Sequence, residues 1–106
     1  MNVFIDMSVF ASPSEPVGNI TGKVSVSGEL GVGARFPWPN EALSTMSQLA
    51  RALLNQATIA SIDASPAISG VEYAVMLSEV MCRSAEEVQT LAGDVRRSLG
   101  LVLCEY

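Results

Sequence analysis

Asn2-Val3-Phe4-Ile5-Asp6-Met7-Ser8-Val9-Phe10-Ala11 decides how this chain folds. Val3, Ile5, Met7 and Val9 share one parity and Phe4 and Phe10 the other, so the segment reads as a strand with apolar side chains on both faces. Ser12 to Asn19 follows, with Pro13, Pro16, Gly18 and Asn19, and is expected to form the connection to the next element.

Residues 20–30 alternate, with Ile20, Val24, Val26 and Leu30 against Thr21, Lys23, Ser25, Ser27 and Glu29, which predicts a half-exposed strand. A first helix is expected over about residues 41–57. Asn40 is its expected N-cap, Glu41 lies in its first turn, and Leu43, Met46, Ala50, Leu53, Leu54 and Ala57 form its apolar stripe. A short strand is expected at 58–63 and a longer one at 71–81, separated by a turn with Pro66 and Gly70. Ser84 and Glu87 form a capping box that starts a second helix with Val88, Leu91, Ala92, Val95 and Leu99 inward, closed by Gly100. Residues 101–104 supply a last strand.

From residue 20 onward this is strand, helix, strand, strand, helix, strand, the split βαβ order called ferredoxin-like. The expected fold is therefore one α+β domain over residues 1–106. A ferredoxin-like core spans 20–105, an additional N-terminal strand spans 2–11, and two helices lie on one face of a mainly antiparallel sheet. That topology places 101–104 beside 20–30, 20–30 beside 71–81, and 71–81 beside 58–63. If 2–11 hairpins with 20–30, it is expected to compete with 101–104 for one edge.

The 106 residues are 49% hydrophobic and 16% charged, a high apolar fraction for a body with so much surface. Some of that surface is expected to meet another chain, and a homodimer or higher oligomer follows, formed through the open sheet face or the sheet edges. The net charge of −5 and a single lysine, Lys23, argue against nucleic acid as a partner. The longest uncharged run, Ala52 to Ile62, is too short and polar to cross a bilayer, so no membrane association is expected. The N-terminal residues carry no basic leader, and a cytoplasmic location is expected.

Histidine is absent, which removes imidazole-containing zinc sets and the common nucleophile-base pairs. No metal site, cofactor or catalytic residue is expected. Asp6, Glu29, Asp63, Glu72 and Glu79 have no spacing that singles out an acid-base pair. Cys82 and Cys104 are read as free thiols, about 10 Å apart in the expected sheet and too far for a disulfide. Met7, Met46, Met76 and Met81 are read as core or subunit-interface filler.

One loop gathers features of a binding site. Gly31 and Gly33 let backbone amides approach a ligand, and Arg35 brings a forked cation. Phe36 and Trp38 offer aromatic faces, and Asn40 opens a helix whose N-terminus favours anions. Arg96 and Arg97 suit the negative end of the second helix. The loop also reads as a plain connection shaped by its glycines and prolines, with Phe36 and Trp38 packed over the end of the core, or as an exposed anchor for a protein partner. The expected function is that of a non-enzymatic regulator or inhibitor acting through protein-protein interaction. The alternative is a module that sequesters a nucleotide-like or other anionic small molecule at Gly31–Asn40.

Overall fold

A computed structural model describes all 106 residues. Strand β1 (Asn2–Ser12) and strand β2 (Glu15–Ser25) form a hairpin bent at Pro13-Ser14 alone. The connection expected at 12–19 is thus mostly strand. Pro16, which has no N–H to give a ladder, sits opposite Phe10 where the register shifts, so it breaks no regular pairing. At its other end β2 stops at Ser25, well short of Leu30: Val26 still exchanges hydrogen bonds with Met1 in the same register, and Gly28 then takes φ +98°.

Helices α1 (Asn40–Ser44) and α2 (Gln48–Asn55) follow, then strands β3 (Ile59–Asp63), β4 (Tyr73–Leu77) and β5 (Val80–Met81), helix α3 (Ala85–Leu99) and strand β6 (Val102–Glu105). The sheet order is β3-β4-β1-β2-β6, with β5 continuing the line of β4 along β1. Every ladder is antiparallel except those of β1 with β4 and β5. No helix is long and apolar enough to cross a membrane.

Two corrections to the expected topology follow. The expected neighbours 20–30 and 71–81 do not meet, because β1 lies between β2 and β4. Nor do β1 and β6 compete, since the hairpin occupies the opposite edge of β2 from the one β6 takes. The physical reason is burial. Val3, Ile5, Met7 and Val9 are fully buried, and a strand so apolar on one parity is best covered at the centre, where both of its backbone edges are also paired.

Three helices form where two were expected, because the stretch 41–57 breaks at Thr45–Ser47. Hydroxyls cause the break: Ser44 Oγ donates to the Glu41 carbonyl, Thr45 Oγ1 to the Ala42 carbonyl, and Ser47 Oγ accepts the Ala50 N–H to cap α2. Asn40 is not a cap. Pro39 holds the extended N-cap position of α1 and Asn40 is the first helical residue. Helix α3 begins as expected, with Ser84 Oγ accepting the Glu87 N–H, although Glu87 returns to the Arg83 N–H rather than to that of Ser84. Gly100, at φ +72°, ends it, and the Leu101 N–H closes on the Val95 carbonyl.

All three helices cover the face that carries Val3, Ile5, Met7, Val9, Ile20, Val75 and Leu77. The other face of the sheet has no layer over it. Both faces of β1 carry apolar side chains, as read, but only one is fully covered, since Phe4, Asp6, Ser8 and Phe10 are half-buried.

Candidate functional site: the loop at 31–40 and the open sheet face

The loop Gly31–Asn40 is a structural brace. The Gly33 N–H donates to the Ile59 carbonyl at 2.8 Å, the Ile59 N–H to the Ala34 carbonyl at 2.8 Å, and the Phe36 N–H to the Ala57 carbonyl at 3.0 Å. An Arg35–Thr58 bridge completes this short ladder along the outer edge of β3. Gly33 lies at φ +88°, a conformation that favours glycine, so it shapes the loop. Of the two amides the sequence suggested for a ligand, those of Gly31 and Gly33, that of Gly33 is thus engaged with the sheet, as is the amide of Phe36.

Phe36 and Trp38 are buried and meet edge to face, with ring centroids 4.6 Å apart. Trp38 Nε1 donates to the Leu54 carbonyl at 2.9 Å, anchoring the loop to α2. Both rings thus pack over the end of the core, as the reading of the loop as a plain connection expects, and neither forms an exposed anchor. Arg35 and Asn40 are exposed, Gly31 is half-buried, and none of the six residues lines any of the four principal hollows.

The uncovered sheet face is where the exposed apolar side chains collect. Strand alternation assigns Phe4, Asp6, Ser8 and Phe10 of β1 to it, with Val17, Asn19, Thr21 and Lys23 of β2, Ala74 and Met76 of β4, Met81 of β5, and Val102 and Cys104 of β6. Tyr106 follows the same parity and is 79% exposed. Of the six large apolar side chains exposed in the whole molecule, Met76, Met81, Val102 and Tyr106 lie here. Met76 is 54% and Val102 50% exposed. Met7 and Met46, by contrast, are core.

A polar line crosses the middle of this face. Tyr106 Oη donates to Asn19 Oδ1 at 2.6 Å, and Asn19 Nδ2 donates to Asp6 Oδ1 at 2.6 Å. At the lower end Lys23 Nζ holds the Ser69 carbonyl at 2.9 Å, drawing the 64–72 loop toward β2. A hollow of about 250 Å³ is left beside that loop, between Phe4, Asp6, Asp63, Ile68 and Met76. Asp63 itself accepts the Ser65 N–H at 2.9 Å. Nothing in this arrangement aligns a nucleophile with a base. What it offers is a platform: apolar side chains framing a fixed line of hydrogen-bonding groups.

Two ionisable groups are shifted from their ordinary behaviour. Hydrogen bonding from Ser47 holds the Asp94 carboxyl below the usual carboxylate range, with help from Arg97 and against the opposing effect of burial. Burial, and then the charge of Glu87, push the Cys82 thiol up. Cys82 and Cys104 are both free. Two strands, β1 and β2, separate them rather than the one expected, which makes pairing still more remote.

Val102 and Tyr106 escaped the sequence reading as site residues, because Leu101–Cys104 is apolar at every position and shows no alternation, while Met76 and Met81 are read there as core or subunit-interface filler. No protein-family model, curated protein or solved structure matches the chain.

Proposed function

We propose that this protein is a non-catalytic binding module that engages another protein through the open face of its sheet and works in the cytoplasm. The observation that carries the reading is the clustering of Met76, Met81, Val102 and Tyr106 on the one face without a helical layer. Exposed apolar patches of this kind, crossed by satisfied polar groups, are characteristic of protein interfaces. Methionines suit such a surface because the unbranched thioether adapts to its neighbour. Unpaired Cys82 and Cys104 accord with a reducing compartment.

The outer pairs, β6 beside β2 and β3 beside β4, are those of a ferredoxin-like sheet, while β1 takes the place between β2 and β4 where that topology joins the two directly. Capture of a nucleotide-like anion at Gly31–Asn40 is less well supported, because Trp38 has no free face to stack on a ligand.

The test is affinity capture with the wild type, a Met76→Glu/Met81→Glu double variant and Arg35→Ala. A partner that is retained by wild type and Arg35→Ala and lost by the double variant, with melting temperature preserved, supports the open-face reading. Loss with Arg35→Ala alone, or stabilisation of the wild type by nucleotides, would move the site to the loop.

A further inference from the structure

The two edges of the sheet are treated differently by the rest of the chain. Strand β3 is bonded to the brace from Gly33 to Phe36 at its first residue, Ile59, and the brace continues over Ala57 and Thr58 ahead of the strand. Strand β6 has no such cover. The Tyr106 N–H bonds to the Val17 carbonyl, so residues 102, 104 and 106 turn their backbone groups toward β2, and alternation turns those of Leu103 and Glu105 outward. No proline, bulge or loop blocks this edge, the usual devices against pairing with another chain.

Beside the edge runs a groove of about 280 Å³ between β6 and α3, floored by Ala92 and Gly93 and flanked by Arg96, Leu101, Leu103 and Glu105. Its charges are complementary under a two-fold operation. Arg96 is exposed near the start of β6 and Glu105 is exposed at its end. An antiparallel copy of β6 reverses that order.

We propose that β6 pairs with β6 of a second copy, antiparallel and centred on Leu103, to give one continuous sheet across a homodimer. In this register Leu103 faces Leu103 of the other copy, Val102 faces Cys104, and Glu105 lies beside Leu101 and Arg96. Each Leu103 exchanges N–H and carbonyl with its counterpart, and the Glu105 N–H reaches the Leu101 carbonyl. The Leu101 N–H stays with Val95. The inference is independent of the open-face reading, since the pairing leaves Met76 and Met81 uncovered and sets the two open faces side by side.

Val102 and Cys104 would form a non-hydrogen-bonded cross-strand pair, with Cα atoms ~4.5 Å apart and within disulfide reach. The two Cys104 residues would be diagonal neighbours at ~7–8 Å, too far to join. Val102→Cys should therefore yield covalent dimers under mild oxidation while the wild type does not. By sedimentation the wild type is expected at twice its 11.2 kDa chain mass. Arg96→Glu and Glu105→Arg should each weaken the dimer by tenfold or more, and the double swap should restore it. Leu103→Pro, which deletes an outward N–H, should give a folded monomer by circular dichroism.

A monomeric wild type at micromolar concentration would overturn the pairing. So would a dimer unaffected by the single charge reversals. Wild-type chains cross-linked through Cys104 would overturn the register. A Met76→Glu/Met81→Glu variant that becomes monomeric would place the dimer on the open face instead.

Discussion

The carboxylate of Asp94 on α3 accepts the backbone N–H of Ser47 at 3.0 Å, which fixes the start of α2 against α3 at the point where the expected long helix breaks. Asp94 is the only buried charged or polar side chain in the molecule, 4% exposed, and Arg97 pairs with its other oxygen. Its removal leaves the Ser47 N–H without a partner. Asp94→Ala should cost about 2 kcal/mol, read from chemical denaturation.

The same carboxyl sets an acid limit. Its folded pKa lies below the unfolded value of roughly 3.9, so its contribution is fully present above that value and is lost as pH falls through the folded pKa. Urea midpoints of the wild type should decline below about pH 4. The decline should be shallower in Asp94→Asn, which starts less stable at neutral pH, and equal slopes would remove Asp94 from the explanation.

Trp38 and Arg35 stand three residues apart in one loop and should behave oppositely. Trp38→Ala deletes a buried ring and its bond to the Leu54 carbonyl, and a loss of about 3–5 kcal/mol is expected. Arg35→Ala touches an exposed side chain and should stay within about 0.5 kcal/mol of wild type. Melting curves of the two variants decide the matter.

At Gly18, β6 lies against β2 with no room for a side chain. A Cβ there would stand 2.2 Å from the Cys104 carbonyl oxygen, and that contact is backbone, which cannot swing aside. Gly18→Ala should detach β6, visible as faster amide exchange at residues 102–105 with β1 still protected.

The thiols should separate by reactivity. Burial keeps Cys82 protonated and hidden, while Cys104 is exposed, so an alkylating reagent at neutral pH should modify Cys104 first and Cys82 only on unfolding. Peptide mass mapping over time reports this directly, and a reductant should leave the melting temperature unchanged.

Helix α3 was fully legible because Ser84, Glu87 and Gly100 are local signals that act within a few residues. The break at Thr45–Ser47 was not, because the apolar stripe from Leu43 to Ala57 continues through it and the partner that stabilises it, Asp94, is distant in sequence. Strand order shows the same division. Alternation revealed that β1 is a strand, but which edge of β2 it takes depends on the burial of Val3, Ile5, Met7 and Val9 in the assembled sheet. The loop at 31–40 left two readings open for a related reason: Phe36 and Trp38 look identical in sequence whether they point at solvent or, as here, inward.

Methionine oxidation offers the most direct test of the open face as a binding surface, because the chain carries its own reporters. Met76 and Met81 are exposed on that face, while Met7 and Met46 are buried controls. In the isolated protein a mild oxidant should convert Met76 and Met81 to sulfoxides well before Met7 and Met46. In the native cell extract, the binding account predicts that Met76 and Met81 become protected several-fold while Met7 and Met46 are unchanged. Equal oxidation of Met76 and Met81 in both settings would contradict it.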